Sequence, residues 1–75
     1  MEVKYVYFAG DKTFQIGDVV RVMHKKSYEN ETKTDIGVIL PSVLTSELRL
    51  DCSEIYHSRI IEVDLKDIKH IFKLD

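Results

Sequence analysis

The clearest pattern in the chain lies in residues 14–23, Phe-Gln-Ile-Gly-Asp-Val-Val-Arg-Val-Met. Gly17-Asp18 is a turn signal, because glycine accepts positive φ and aspartate can bond its own backbone. The valines that follow restrict χ1 and suit a pleated surface. A strand there puts Asp18, Val20, Val22 and His24 on one face, and Val19, Arg21 and Met23 on the other. Arg21 marks the wetter face, so Val20 and Val22 are assigned to the core, with Phe14 and Ile16 capping it from just before the turn.

The same two-residue rhythm recurs elsewhere. Residues 3–8, Val-Lys-Tyr-Val-Tyr-Phe, read as a strand rich in aromatic and β-branched residues. Residues 9–12, Ala-Gly-Asp-Lys, read as a turn by their Gly-Asp pair, and the strand before them is expected to pair with the C-terminal one. Residues 25–35 are polar, charged and without period, and read as an exposed loop. Residues 36–40 form the next strand, with Gly37 marking a bulge or a close backbone approach. Ile36, Val38 and Leu40 oppose Gly37 and Ile39, so its core face stays open. Pro41 ends the pairing, having no donor for a ladder. Residues 47–51 alternate cleanly, with Leu48, Leu50 and Cys52 inward, and residues 59–64 follow with Ile61 and Val63 inward. In the last segment, Leu65, Ile68, Ile71 and Phe72 also fit helical spacing, and Asp64 could cap such a helix.

The run F-Q-I-G-D-V-V-R-V at residues 14–22 resembles the opening of SH3-like small barrels, the superfold that includes KOW, Tudor and bacterial SH3 modules. Val-Asp-Leu-Lys-Asp-Ile at residues 63–68 looks like the short 3₁₀ turn that joins the last two strands of that barrel. The resemblance covers residues 14–74 as a pattern, and the chain is also similar in make-up to small bacterial and phage-encoded proteins. It implies an all-β antiparallel barrel or rolled sheet of five to six short strands, with a 3₁₀ turn near residues 65–68. It also favours a strand at residues 70–74 over a helix. It says little about function, since the superfold hosts many activities. The expected core is Val20, Val22, Ile39, Leu48, Leu50, Ile61, Val63, Ile68 and Ile71.

With 75 residues there is room for one domain, and so short a chain keeps a thin core. The net charge is −2, with six basic and six acidic residues up to position 38 and five basic and seven acidic beyond it. A chain so balanced offers no basic tail for phosphates. One cysteine excludes an internal disulfide and, with no leader-like segment, points to a reducing cytoplasm. No apolar run approaches the ~20 residues that span a bilayer.

The candidate chemistry is sparse. Cys52 with His24, His57 or His70 is the one conceivable nucleophilic set, but Cys52 continues the inward face of Leu48 and Leu50. Zinc sites pair ligands at short fixed spacing, whereas Cys52 and His57 stand alone. There is no phosphate-cradling glycine motif. No cofactor and no metal are expected, and the protein reads as non-enzymatic. Glu47, Asp51, Glu54, Glu62, Asp64 and Asp67 read as a solvated surface that also guards strand edges. Tyr28 and Tyr56 fall in loops, where an apolar ring with a polar tip suits an interface. Tyr5 and Tyr7 read as the margin of the core. Arg21, Lys25, Lys26 and Lys33 around Tyr28 could form a patch for single-stranded nucleic acid, opposed by Glu29, Glu31 and Asp35. The leading expectation is a small module for a protein or peptide partner, with Tyr28, Tyr56, Arg21, Lys25 and Lys26 as candidate contacts. An RNA- or single-stranded-DNA-binding module is the alternative. The chain is expected to be a monomer or a weak homodimer.

Overall fold

A computed structural model describes residues 5–8, 12–42, 46–53 and 59–74. The fold is mainly antiparallel β. Strands β1 (Tyr5–Phe8) and β2 (Lys12–Gln15) form a two-stranded sheet. Strands β3 (Val19–His24), β4 (Lys33–Leu40), β5 (Glu47–Asp51), β6 (Ile60–Asp64) and β7 (Ile68–Lys73) form a five-stranded sheet in the order β6-β5-β4-β3-β7. A 3₁₀ turn, Leu65–Asp67, joins the last two strands.

The expected pairing of the first strand is corrected. Tyr5 pairs with Gln15 and Phe8 with Lys12, so β1 lies on β2, and it is β3 that pairs with β7. Lys12, expected in a turn, belongs to β2. The polar loop is also shorter than the sequence suggests, because β4 begins at Lys33. Expectations for residues 3–4, 9–11, 43–45 and 54–58 lie outside the described residues.

The core is built by alternation. Val20 and Val22 of β3, Ile39 of β4 and Leu48 and Leu50 of β5 are fully buried, with Cys52, Phe14 and Ile71 beside them. Val63 is buried as well. Ile61 and Ile68, expected in the core, are only partly buried and pack against it with Ile16 and Leu65. The open question at β4 is settled by Gly37: Asp35, Gly37 and Ile39 face inward, while Ile36, Val38 and Leu40 are half-buried. A Cβ at position 37 would lie 2.8 Å from the Asp51 carbonyl oxygen and 2.9 Å from Cys52 Sγ. Only glycine lets β4 approach the end of β5 so closely.

The Gly17 turn fixes where β3 enters. Gly17 has φ +97°, which glycine adopts without a steric penalty. Its N–H donates to the Ile39 carbonyl at 2.9 Å, and the Ile39 N–H returns a bond to the Asp18 carbonyl at 2.9 Å. The Asp18 carboxylate accepts from the Gln15 N–H at 2.9 Å. The turn is thereby clipped to β4 as well as to the end of β2.

Candidate functional site

The loop between β3 and β4 starts from a β-bulge. Met23 pairs with His70 of β7 but His24 pairs with Ile68, which leaves Lys69 as the extra residue. From there the chain bends over the 3₁₀ turn, and the Lys25 N–H donates to the Asp67 carbonyl at 3.0 Å. Lys26 Nζ lies 3.6 Å from Asp67 Oδ2. Asp67 is buried, contrary to its expected place on a solvated surface. The reason is that the turn tucks it beneath this loop.

Glu29 organises the loop itself. Its N–H donates to the Lys26 carbonyl at 3.0 Å, and its Oε1 accepts from the Lys26 N–H at 3.0 Å. Its carbonyl accepts from Lys25 Nζ at 2.7 Å, and its Oε2 lies 2.8 Å from Lys33 Nζ. The bond from Lys33 is the largest cause that holds the Glu29 carboxyl below its ordinary range, followed by the Lys26 backbone bond. The same pairing pushes the Lys33 ammonium up. Tyr28 sits on this braced turn and is 80% exposed.

The candidate residues therefore part company. Lys25, Lys26 and Tyr28 come together on one loop, with Lys25, Lys26 and Lys33 each engaged by an acceptor. Arg21 does not join them. It lies on the outer face of β3, its guanidinium 5.3 Å from the centre of the Phe72 ring, in cation–π range. At ~3.3 Å per residue it stands about 13 Å along the chain from Lys25. Tyr56 and His57 lie outside the described residues.

Cys52 is 1% exposed. Burial is the main cause that pushes its thiol up, with the Asp35 carboxylate adding to it. Such a thiol is a poor nucleophile, since the thiolate is the reactive form.

Sequence reasoning missed one arrangement. His24 Nε2 lies 2.7 Å from Asp35 Oδ2, and both side chains are largely buried. Asp35 was expected in the exposed loop. The signal that could have found it is parity: Asp35 shares the inward face with Gly37 and Ile39, and His24 shares it with Val20 and Val22.

Among the described residues, no three His, Cys, Asp or Glu side chains group to hold a metal ion, and no buried side-chain nitrogen or oxygen lacks a partner. Among the described residues, no helix is long and apolar enough to cross a membrane. A shallow hollow of about 270 Å3 lies at Ser46, Asp64, Leu65 and Lys66. Comparisons with protein-family models, with curated proteins and with solved structures find no match to this chain.

Proposed function

We infer that this protein is a non-enzymatic, SH3-like binding module for a protein or peptide partner, with Tyr28 as the central contact and Lys25 and Lys26 at its margin. The observation that carries the reading is the exposure of Tyr28 on a turn that Glu29, Lys25, Lys26 and Lys33 hold in place. An ordered turn loses little freedom on binding, and tyrosine offers a large contact area for two rotatable angles. The SH3-like part of the reading rests on the sequence pattern of residues 14–22 and 63–68. The compartment is taken as the cytoplasm, which suits a buried free thiol.

A nucleic-acid role is the weaker reading. Each lysine of the loop would have to leave its present acceptor to reach a phosphate, and Arg21 lies outside the patch. The test is selection of peptides from a random library on the native protein, repeated on Tyr28→Ala after its fold is checked by circular dichroism. Selected peptides are expected to bind Tyr28→Ala at least about tenfold more weakly, the loss of ~1.4 kcal/mol that a buried aromatic contact readily supplies. Equal binding by the variant overturns the assignment of Tyr28. Amide shifts at the loop with a single-stranded oligonucleotide, lost as salt rises, would replace the peptide reading with the nucleic-acid one.

A further inference from the structure

The two end strands of the five-stranded sheet carry opposite charge. β6 bears Glu62 and Asp64, with Glu47 beside them through the Glu47–Asp64 and Arg49–Glu62 register. β7 bears Lys69 and Lys73. Each end strand also shows an apolar side chain, Ile60 at 52% exposure and Phe72 at 37%. Among the described residues, no strand pairs with the outer edge of either.

The free backbone groups on these edges follow from the ladders. Cys52 N–H donates to the Arg59 carbonyl and Leu65 N–H to the Ser46 carbonyl, continuing the β5–β6 register at both ends. Bonded pairs alternate in an antiparallel ladder. Ile61 and Val63 therefore bond to β5, and the N–H and C=O groups of Ile60, Glu62 and Asp64 point outward. Leu74 N–H donates to the Val19 carbonyl, so Phe72 and His70 bond to β3 and the groups of Ile71 and Lys73 point outward.

We propose that the β6 edge of one copy pairs antiparallel with the β7 edge of the next, so that the chain associates head to tail with itself. Charge selects this combination. β6 against β6, centred on Glu62, sets Glu62 opposite Glu62. β7 against β7, centred on Ile71, sets Lys73 opposite Lys69. Like charges directly opposite are destabilising and unlike ones stabilising. Matching outward groups of β6 to those of β7 instead sets Glu62 opposite Lys73, whose Nζ also lies 3.6 Å from Asp18 Oδ1, and Asp64 opposite Ile71, so that no like charges face each other between these residues. Each edge is thus guarded against its own kind and open to the other. The acidic side is also crowded: the Glu47 carboxyl is held above its ordinary range chiefly by a hydrogen bond with Glu62, and a neighbouring cationic strand relieves that crowding. Because the two patches differ, the contact is heterologous and does not close at a dimer by itself.

The test begins with sedimentation of the whole chain at low salt. The mass is expected to rise steadily with concentration and to fall back toward the monomer when salt is added. In the amide spectrum, Ile60, Glu62, Asp64, Ile71 and Lys73 should shift and gain protection from exchange with concentration more than their alternate neighbours Ile61, Val63, His70 and Phe72. The pair Glu62→Lys with Asp64→Lys, and the pair Lys69→Glu with Lys73→Glu, should each give a monomer alone and associate when mixed. These side chains other than Asp64 are exposed, and the wild-type amide pattern stands independently of whether the variants fold. A wild-type monomer at every concentration in low salt overturns the proposal. So does association of either charge-reversed variant alone to the wild-type extent, or concentration-dependent shifts without the alternation.

Discussion

His24 Nε2 and Asp35 Oδ2 lie 2.7 Å apart across the β3–β4 pair, with only 14% and 8% of the two side chains exposed. Val22 faces Asp35 and His24 faces Lys33 in the register, so His24 and Asp35 are diagonal neighbours on one face. A polar pair at the end of an apolar row costs little while each partner satisfies the other. It becomes expensive when one is removed, because the survivor is buried without a bond.

Asp35→Ala is therefore expected to destabilise the protein by about 1–3 kcal/mol, and His24→Ala by a comparable amount. The double variant should cost clearly less than the sum of the two, because neither orphan remains. Urea denaturation of the four proteins measures this. Strict additivity would mean that the pair is not coupled and that the two residues act only through packing.

Much of the sheet is legible from the chain because alternation is a local property. Val20 and Val22, Leu48 and Leu50, and Val63 announce their faces through neighbours two positions away. At residues 65–72 one spacing fits both a helix and a turn followed by a strand, and periodicity cannot separate them. What decides is tertiary: Ile71 is buried opposite Val22, and the Asp67 carbonyl takes the Lys25 N–H. Pairing partners are equally hidden, which is why β1 was expected on the C-terminal strand and lies on β2. At the candidate site, the polarity of residues 25–32 announces the exposure of Tyr28. The bracing by Glu29 and Asp67 is not announced, since it depends on a turn geometry and on a contact between segments some forty residues apart.

The two described glycines whose roles are visible fail for different reasons when replaced. Gly37→Ala pushes a methyl group into the Asp51 carbonyl oxygen and Cys52 Sγ, and overpacking of this kind costs about 1–3 kcal/mol. Adding Cys52→Ala should recover only part of the loss, because the backbone oxygen stays. Gly17→Ala meets nothing within 4 Å, so its cost is that of positive φ alone, about 1–2 kcal/mol. Denaturation midpoints separate the two cases: full rescue of Gly37→Ala by Cys52→Ala would place the whole clash on the sulfur.

Cys52 should resist thiol reagents in the native protein. Its sulfur is buried within the main cluster, and its thiol is pushed up chiefly by that burial. Labelling at neutral pH is expected to proceed only through opening of the structure, and to accelerate with denaturant in step with unfolding. Labelling as fast as that of a free thiol in the absence of denaturant would mean that the β5 end opens independently of the core.

Two carboxylates, Glu29 and Glu47, should give stability opposite slopes with pH. The Glu29 carboxyl is held low by Lys33, so its contribution is present above the ordinary glutamate value of 4.5 and is lost as pH falls through its lower folded value. Glu47 is held high, first by its hydrogen bond with Glu62 and then by desolvation. Its contribution is complete below 4.5 and is lost as pH rises through its higher folded value, when Glu47 takes on charge against its acidic neighbours. Glu47→Gln keeps a donor for Glu62 at every pH. It should raise the denaturation midpoint near neutral pH, and that advantage should shrink as pH falls into the ordinary carboxylate range. Glu29→Gln should instead weaken the protein at neutral pH and flatten its loss in acid. Denaturation midpoints measured across the acid range distinguish the two. If Glu47→Gln lowers stability at neutral pH, the acidic crowding around Glu47 does not weaken the fold.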